Sequence, residues 1–257
     1  MSTADDYLTL VDRALTVAMR DVEALLTVVD WTDPVEARDE LLEQMPVLVQ
    51  EWGTTIAQLA LEYAEDMIGA PVALVDDVPW EQIAASIRWA LSPVFPQDYT
   101  EQGPDGAEPI TTRPAPDPEA ARRNLRGAMG RHVRGPGREQ VRDAAERHDG
   151  VAWARVLRGE QSCAFCIMLA SRGAVYESAA TAGARSREVA DPRVLLGDRW
   201  HSHCDCSVVL VRDDSDYPDG YDVDELYRTY MAGRQDARSQ DPKDILAGMR
   251  RLNPGMH

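Results

Sequence analysis

All four cysteines of this 257-residue chain fall in two short clusters. The first is Cys163-Ala164-Phe165-Cys166; after 34 intervening residues comes His201-Ser202-His203-Cys204-Asp205-Cys206, which also carries two of the five histidines. A thiolate pair two residues apart can hold one cation from a tight turn, and the second cluster can close a tetrahedral shell if the strands flanking the clusters lie side by side. Six donors compete for four positions. The spacing favours Cys163, Cys166, His201 and Cys204; a set with Cys206 in place of His201 comes next, and His203 last. Zinc is the expected ion, because mixed thiolate and imidazole ligation suits its borderline softness and tetrahedral preference. Two other states of the same residues compete with metal: reduced thiols buried in a small core, and disulfides, which a reducing cytosol disfavours.

Catalysis has less support. Zinc deaminases pair His-x-Glu with a later Pro-Cys-x-x-Cys, and neither that Glu nor that order is present. A cysteine nucleophile with His201 or His203 as base would need a third, orienting residue that the pattern does not supply. There is no phosphate-binding glycine loop of the required spacing and no Gly-x-Ser-x-Gly elbow.

The elements around the clusters follow from periodicity. Val151 to Leu157 has the apolar alternation of a short strand, and Ser207-Val208-Val209-Leu210-Val211 reads as a second. Upstream, Leu8, Val11, Leu15, Ala18, Val22, Leu25, Leu26 and Val29 recur at three- and four-residue steps, the stripe of an amphipathic helix. Asp33-Pro34-Val35-Glu36 is a capped start for the next, which Pro46 is predicted to kink or restart, with helical pattern from Val47 to Ile68. A short helix from Pro79 to Leu91 places Trp80, Ile83, Ile87 and Leu91 on one face. Asp117-Pro118-Glu119 opens an Arg-rich helix that stops before Gly135-Pro136-Gly137, and a shorter one is predicted from 138 to 148. Two more, about 223–238 and 242–252, close the chain. The fold class expected is mainly α: a helical N-terminal region, then a small α+β Cys/His module, then C-terminal helices. The regions are an acidic helical part at 1–91, a Pro-rich linker or surface loop at 92–117, Arg-rich helices at 118–150, the module at 151–211 and a helical tail at 212–257.

The formal charge of −17 is unevenly spread. Residues 1–110 hold 22 acids against 4 Arg, residues 111–160 hold 7 acids against 11 Arg, and the remainder is nearly balanced at 15 against 12. Acidic charge on this scale argues against wholesale binding to nucleic acid or anionic membrane, though not against a local basic surface. Arg122, Arg123, Arg126, Arg131 and Arg134 alternate with acids, which favours a salt-bridged solvent face; a role with nucleic-acid phosphates would require those guanidinium groups on one exposed surface. No apolar run is long enough to span a membrane, and the acidic start Met1-Ser2-Thr3-Ala4-Asp5-Asp6 does not read as a secretory signal.

The run from Cys163 to Tyr176, with His201-Ser-His-Cys-Asp-Cys206 and the Val-rich strand after it, resembles the signature of minor head proteins of tailed actinobacterial phages. These are similar to the Mu F-like head morphogenesis proteins, which carry Cys-x-x-Cys and a later His-x-x-Cys-x-Cys. That pattern lands on Cys163, Cys166, His201, Cys204 and Cys206 as metal ligands, and His203 lies outside it. The family's usual Pro after the His and Arg between the last two Cys are Ser202 and Asp205 here. The resemblance implies a minor capsid protein, made in the host cytoplasm and carried inside the head of the virion near the portal. Its implied partners are portal, major capsid or scaffold proteins, and packaged DNA through the Arg-rich segment. Its implied roles are head assembly and DNA retention or ejection. It implies no enzyme, and the roughly 45 residues after Val211 are few for an independent catalytic domain.

Overall fold

The opening apolar stripe folds as α1, Thr3–Val28, which buries Tyr7, Leu8, Val11, Leu15, Ala18, Val22 and the Leu25–Leu26 pair. The computed structural model describes residues 3–75, 79–101, 110–159, 162–174 and 204–256. α2, Pro34–Ile68, starts where the Asp33 carboxylate accepts the N–H groups of Val35 and Glu36, and ends at Gly69, whose φ of 72° suits glycine. It runs through Pro46 without the predicted restart. Pro46 lies on the buried face between Met45 and Val49, and tertiary burial of an apolar face offsets the one donor that proline removes. α3, Trp80–Ala90, buries Ile83 and Ile87, whereas Trp80 is 44% exposed and leaves the predicted stripe.

The described part of the stretch read as a Pro-rich linker or surface loop contains a strand pair. β1, Tyr99–Glu101, pairs antiparallel with β2, Ile110–Thr112. Thr100 and Thr111 share a hydroxyl hydrogen bond of 2.9 Å across that pair, and Arg113 reaches Asp98 beside it.

A single helix, α4, Pro118–Arg147, replaces the two predicted on either side of Gly135-Pro136-Gly137. The reason is its crossing with α2. A Cβ on Gly137 would stand 2.5 Å from Ile56 Cγ2, and one on Gly53 would stand 2.9 Å from Pro136 Cγ. The residues that read as a helix breaker are the surface on which two helices approach most closely. α4 packs against α1, α2, α3 and the strands of the Cys module, and one apolar core runs from Ala4 through Val133 and Val141 to Val211. The expectation of a solvated Arg face is met only in part. Arg122 pairs with Glu119 and Arg147 with Asp143 at the surface, but Arg138 and Arg142 are buried. Arg142 keeps its ion pair with Glu139 while its guanidinium lies over the Trp153 ring.

β3, Ala152–Val156, and β4, Ser207–Val211, form a two-stranded antiparallel ladder. Every residue of β4 is buried, which explains why its sequence is a continuous apolar run instead of an alternation. The outer edge of β4 is closed by Tyr63 of α2: its hydroxyl accepts the Leu210 N–H at 3.0 Å and donates to the Leu210 carbonyl at 3.3 Å. Between the strands lies α5, Ala164–Ala170; after them come α6, Val223–Ala237, and α7, Pro242–Leu252. Ile245 and Met249 of α7 pack on Ala164, Ile167 and Met168 of α5, so the C-terminal helices cover the helix that carries the first cysteine cluster. The fold is mainly α, with seven helices among the described residues and a small α+β unit. Among the described residues no helix is long and apolar enough to cross a membrane.

Candidate metal centre

In the antiparallel register Val156 stands opposite Ser207 and Ala152 opposite Val211. The chain leaving β3 and the chain entering β4 therefore meet at one end of the ladder. Cys163 is the N-cap of α5, its Sγ accepting the Cys166 N–H at 3.3 Å. Cys204 and Cys206 lie immediately before β4. This topology brings residues far apart in sequence into one buried cluster of four thiols, wrapped by Leu157 and Phe165, with none joined in a disulfide.

Cys166 Sγ is 3.6 Å from Cys204 Sγ, which is 3.2 Å from Cys206 Sγ, and these three sulfurs all lie within 4.8 Å of one another. Around zinc, with bonds of about 2.3 Å, tetrahedral sulfurs stand about 3.8 Å apart. The three therefore outline one slightly contracted face of such a shell. The structure thus groups Cys206 with Cys166 and Cys204, and places Cys163 against Cys166; His201 and His203 lie outside the described residues.

The thiols divide their protons unequally. Hydrogen bonding to the sulfurs of Cys163, Cys204 and Cys206, together with burial, holds Cys166 well above the ordinary thiol range. Cys204 is driven the other way, by donation from Cys166 and Cys206 and by the Arg138 guanidinium, which together outweigh its burial. Cys206 is pushed up to about 12: its contact with Cys166 lowers the value, and the contact with Cys204 and burial outweigh it. One thiolate nested among thiol donors is a soft, anionic cup of the kind that takes a thiophilic cation in exchange for protons.

Three further groups hold this cup in shape. The Asp205 carboxylate accepts the Gly159 N–H at 2.8 Å and the Ser162 hydroxyl at 2.7 Å, tying the segment before the first cluster to the turn between Cys204 and Cys206. A Cβ at Gly159 would overlap the Asp205 carboxylate and push it off these bonds. From α4, Arg134 donates to the Cys204 carbonyl at 3.2 Å, and Arg138 Nη2 donates to the Cys206 carbonyl and faces Cys204 Sγ at 3.9 Å. Sequence reading missed Arg138 because it assigned that residue to a separate short helix. The available signal was the three- and four-residue step from Arg131 to Arg134 to Arg138, which puts all three along one side of a continuous helix.

The Arg residues singled out for phosphate contact do not form one open array. Arg134 turns to Cys204, Arg131 donates to Ser86 Oγ at 2.8 Å, Arg122 pairs with Glu119 and lies over Trp31, and Arg126 pairs with Glu23. Arg123 is exposed.

The family model described as VG15 protein matches residues 1–233. The chain belongs to that family. It is 33% identical over 127 residues to the Gene 15 protein of Mycobacterium phage D29, an alignment covering 40% of this chain and 45% of the relative. To the Gene 15 protein of Mycobacterium phage L5 it is 29% identical over 181 residues, covering 55% of this chain and 61% of the relative. The chain thus spans about half the length of these curated relatives. No solved structure matches. The expected kinship with actinobacterial phage proteins is met, since both relatives are mycobacteriophage gene products; the family named is VG15, and neither a head protein nor a Mu F-like protein is among the names.

Proposed function

We propose that the chain is a structural protein of the phage virion, placed inside the head near the portal and acting in head assembly, with a Cys module locked by one zinc ion. The observation that carries the phage role is the family match across residues 1–233. The convergence of Cys166, Cys204 and Cys206 at the mouth of the β3–β4 ladder supports the zinc, with Cys163 or His201 completing the shell. A two-stranded ladder is marginal by itself, and a bound metal supplies folding free energy directly. The ion closes the one end of the ladder that α2 and α4 leave to the cysteines. The acidic helices α1 to α3 then face portal, capsid or scaffold subunits. This reading gives the module no bond-making step.

The test is a phage carrying a deletion of this gene, with purified wild-type virions imaged by electron cryomicroscopy after tagging the protein. The reading expects tagged density inside the head at the portal vertex, and deletion particles with defective assembly or low infectivity. Normal yield, DNA content and infectivity of particles lacking the protein would overturn it.

A second reading, contact with packaged DNA, draws on a groove of about 630 Å³ on α6, where Arg234 and Arg238 lie beside Met231, Ala232 and Gln235 and Arg228 pairs with Asp222. Binding that neutralises several phosphates weakens steeply with salt. A duplex titrated at two salt concentrations should show that slope, and removal of Arg234 and Arg238 should flatten it; binding independent of salt would exclude this reading.

A further inference from the structure

Three observations meet where α4 passes behind the cysteine cluster. Arg138 is a guanidinium side chain only 3% exposed. Its Nη2 donates to the Cys206 carbonyl and faces Cys204 Sγ. Arg134, one turn earlier on the same side, donates to the Cys204 carbonyl. Two guanidinium groups from one helix thus converge on the Cys204-Asp205-Cys206 turn and its sulfurs.

A divalent ion with four thiolates bears a formal charge of −2, and one with three thiolates and an imidazole bears −1. Both are anions, and here either would be buried among apolar side chains. An uncompensated buried charge is costly, whereas a paired and hydrogen-bonded one is tolerated. Arginine suits the task because its guanidinium stays protonated under all ordinary conditions. We propose that Arg138, with Arg134 beside it, is the built-in counter-charge of the metal centre and the link through which α4 positions its second ligand cluster. This rests on the zinc reading above. It identifies Arg138 as a positioning residue that stabilises the thiolate form of the ligands from behind and fixes the Cys206 carbonyl. The metal centre and the helical body are then one electrostatic unit, and the site is complete only when α4 is docked.

Zinc affinity of the purified full chain, measured by competition with a chromophoric chelator, tests this. Arg138→Met should weaken zinc binding by about 10- to 100-fold, the usual effect of losing an outer-shell partner. Arg138→Lys, which keeps the charge but not the fork, should recover much of that loss. Arg134→Met should give a smaller loss. Arg142→Met is the control: Arg142 is also buried on α4 but lies over Trp153 and pairs with Glu139, so it should lower the melting temperature and leave zinc affinity unchanged. Affinity in folded Arg138→Met equal to wild type would overturn the proposal. Should Arg138→Met not fold, the neutral polar Arg138→Gln takes its place in the same assay, and affinity equal to wild type there would overturn it equally. A wild-type protein that binds no zinc would instead sink the underlying metal reading, which separates the two failures.

Discussion

Gly135 and Gly137 flank Pro136 within α4, and alanine at the two positions should have clearly unequal effects. Both glycines lie inside a helix with ordinary negative φ, where glycine costs about 1 kcal/mol relative to alanine. At Gly135 an added Cβ meets no atom of another element within 4 Å, but it would crowd the Pro136 ring, because a side chain before proline is disfavoured in helical conformation. The helix-propensity gain of Gly135→Ala, about 1 kcal/mol at most, is opposed by that crowding, so its net effect on stability should stay within about 0.5 kcal/mol. At Gly137 the same atom would lie 2.5 Å from Ile56 Cγ2 and 3.1 Å from the Ile56 carbonyl oxygen. Carbon atoms in contact prefer about 3.5–4.0 Å, so the crossing would have to open by about 1 Å. A rotamer change can move the Ile56 methyl but not its backbone oxygen. Overpacking of this kind costs about 1–3 kcal/mol or more, and a crossing opened on α4 also loosens Pro136 against Gly53. After the helical gain, Gly137→Ala should be destabilised by about 1–2 kcal/mol, which for a chain of this size is a fall in melting temperature of about 2–8 °C. Urea and thermal unfolding followed by circular dichroism at 222 nm would measure both. Equal shifts in stability at the two positions would refute the close crossing as the reason that Gly-Pro-Gly is helical here.

Three other outcomes follow from particular groups. Burial, and then the neighbouring Arg131 guanidinium, lower the His132 pKa from its ordinary value to about 4. The folded protein thus resists a proton that the unfolded chain accepts below about pH 6.5, so the full contribution is present above that value and is lost as pH falls toward 4. The loss should reach about 2–3 kcal/mol by pH 4.5, and unfolding titrations of His132→Gln should show a correspondingly shallower acid slope; an identical slope would exclude His132 as its source. Tyr63→Phe leaves the buried Leu210 N–H and carbonyl without the hydroxyl they share, and should cost about 2–4 kcal/mol in chemical denaturation, while a change below about 0.5 kcal/mol would mean that another group closes the edge of β4. Chelation of the zinc-loaded protein should raise hydrogen exchange in β3, α5 and β4 before it affects α1, because site formation and local folding are coupled; uniform exchange throughout would mean that the ladder folds without metal.

Legibility followed the scale of the interaction. α1 was readable because one amphipathic stripe specifies it locally, and α2 and α4 were readable at their starts because Asp33 and Asp117 cap their own chain neighbours. The same local rules failed in the helix interiors. Pro46 and Pro136 break the pattern of hydrogen bonding, but each lies on a buried face whose neighbours come from other helices. Propensity measures what a segment does alone, and these segments are not alone. The β1–β2 pair was missed for a related reason: three residues on each side, among prolines, carry too little periodicity to register.

The cysteine cluster shows the same division within a few residues. The cysteines were legible because a ligand must be a particular atom, so the residue type itself is the signal. What holds the ligands in place was not, because a carboxylate or guanidinium has many uses. Asp205 first stood out as a departure from the pattern of head morphogenesis proteins, an acid where an arginine is usual. In the folded chain that acid fastens Gly159 and Ser162, while positive charge reaches the turn from α4 through Arg134 and Arg138. In this chain positive charge thus reaches the turn from a helix, and the position between Cys204 and Cys206 serves as a loop staple. Asp205→Arg should then restore the usual residue at the expense of the fold, because a cation would replace the acceptor of Gly159 and Ser162 and add to two arginines already present. Paired with Arg138→Met, the same substitution should be less damaging than alone, since the double variant removes one positive charge from the crowd. A double-mutant cycle on stability reads this coupling directly, and strict additivity would show that the two positions do not share one electrostatic site.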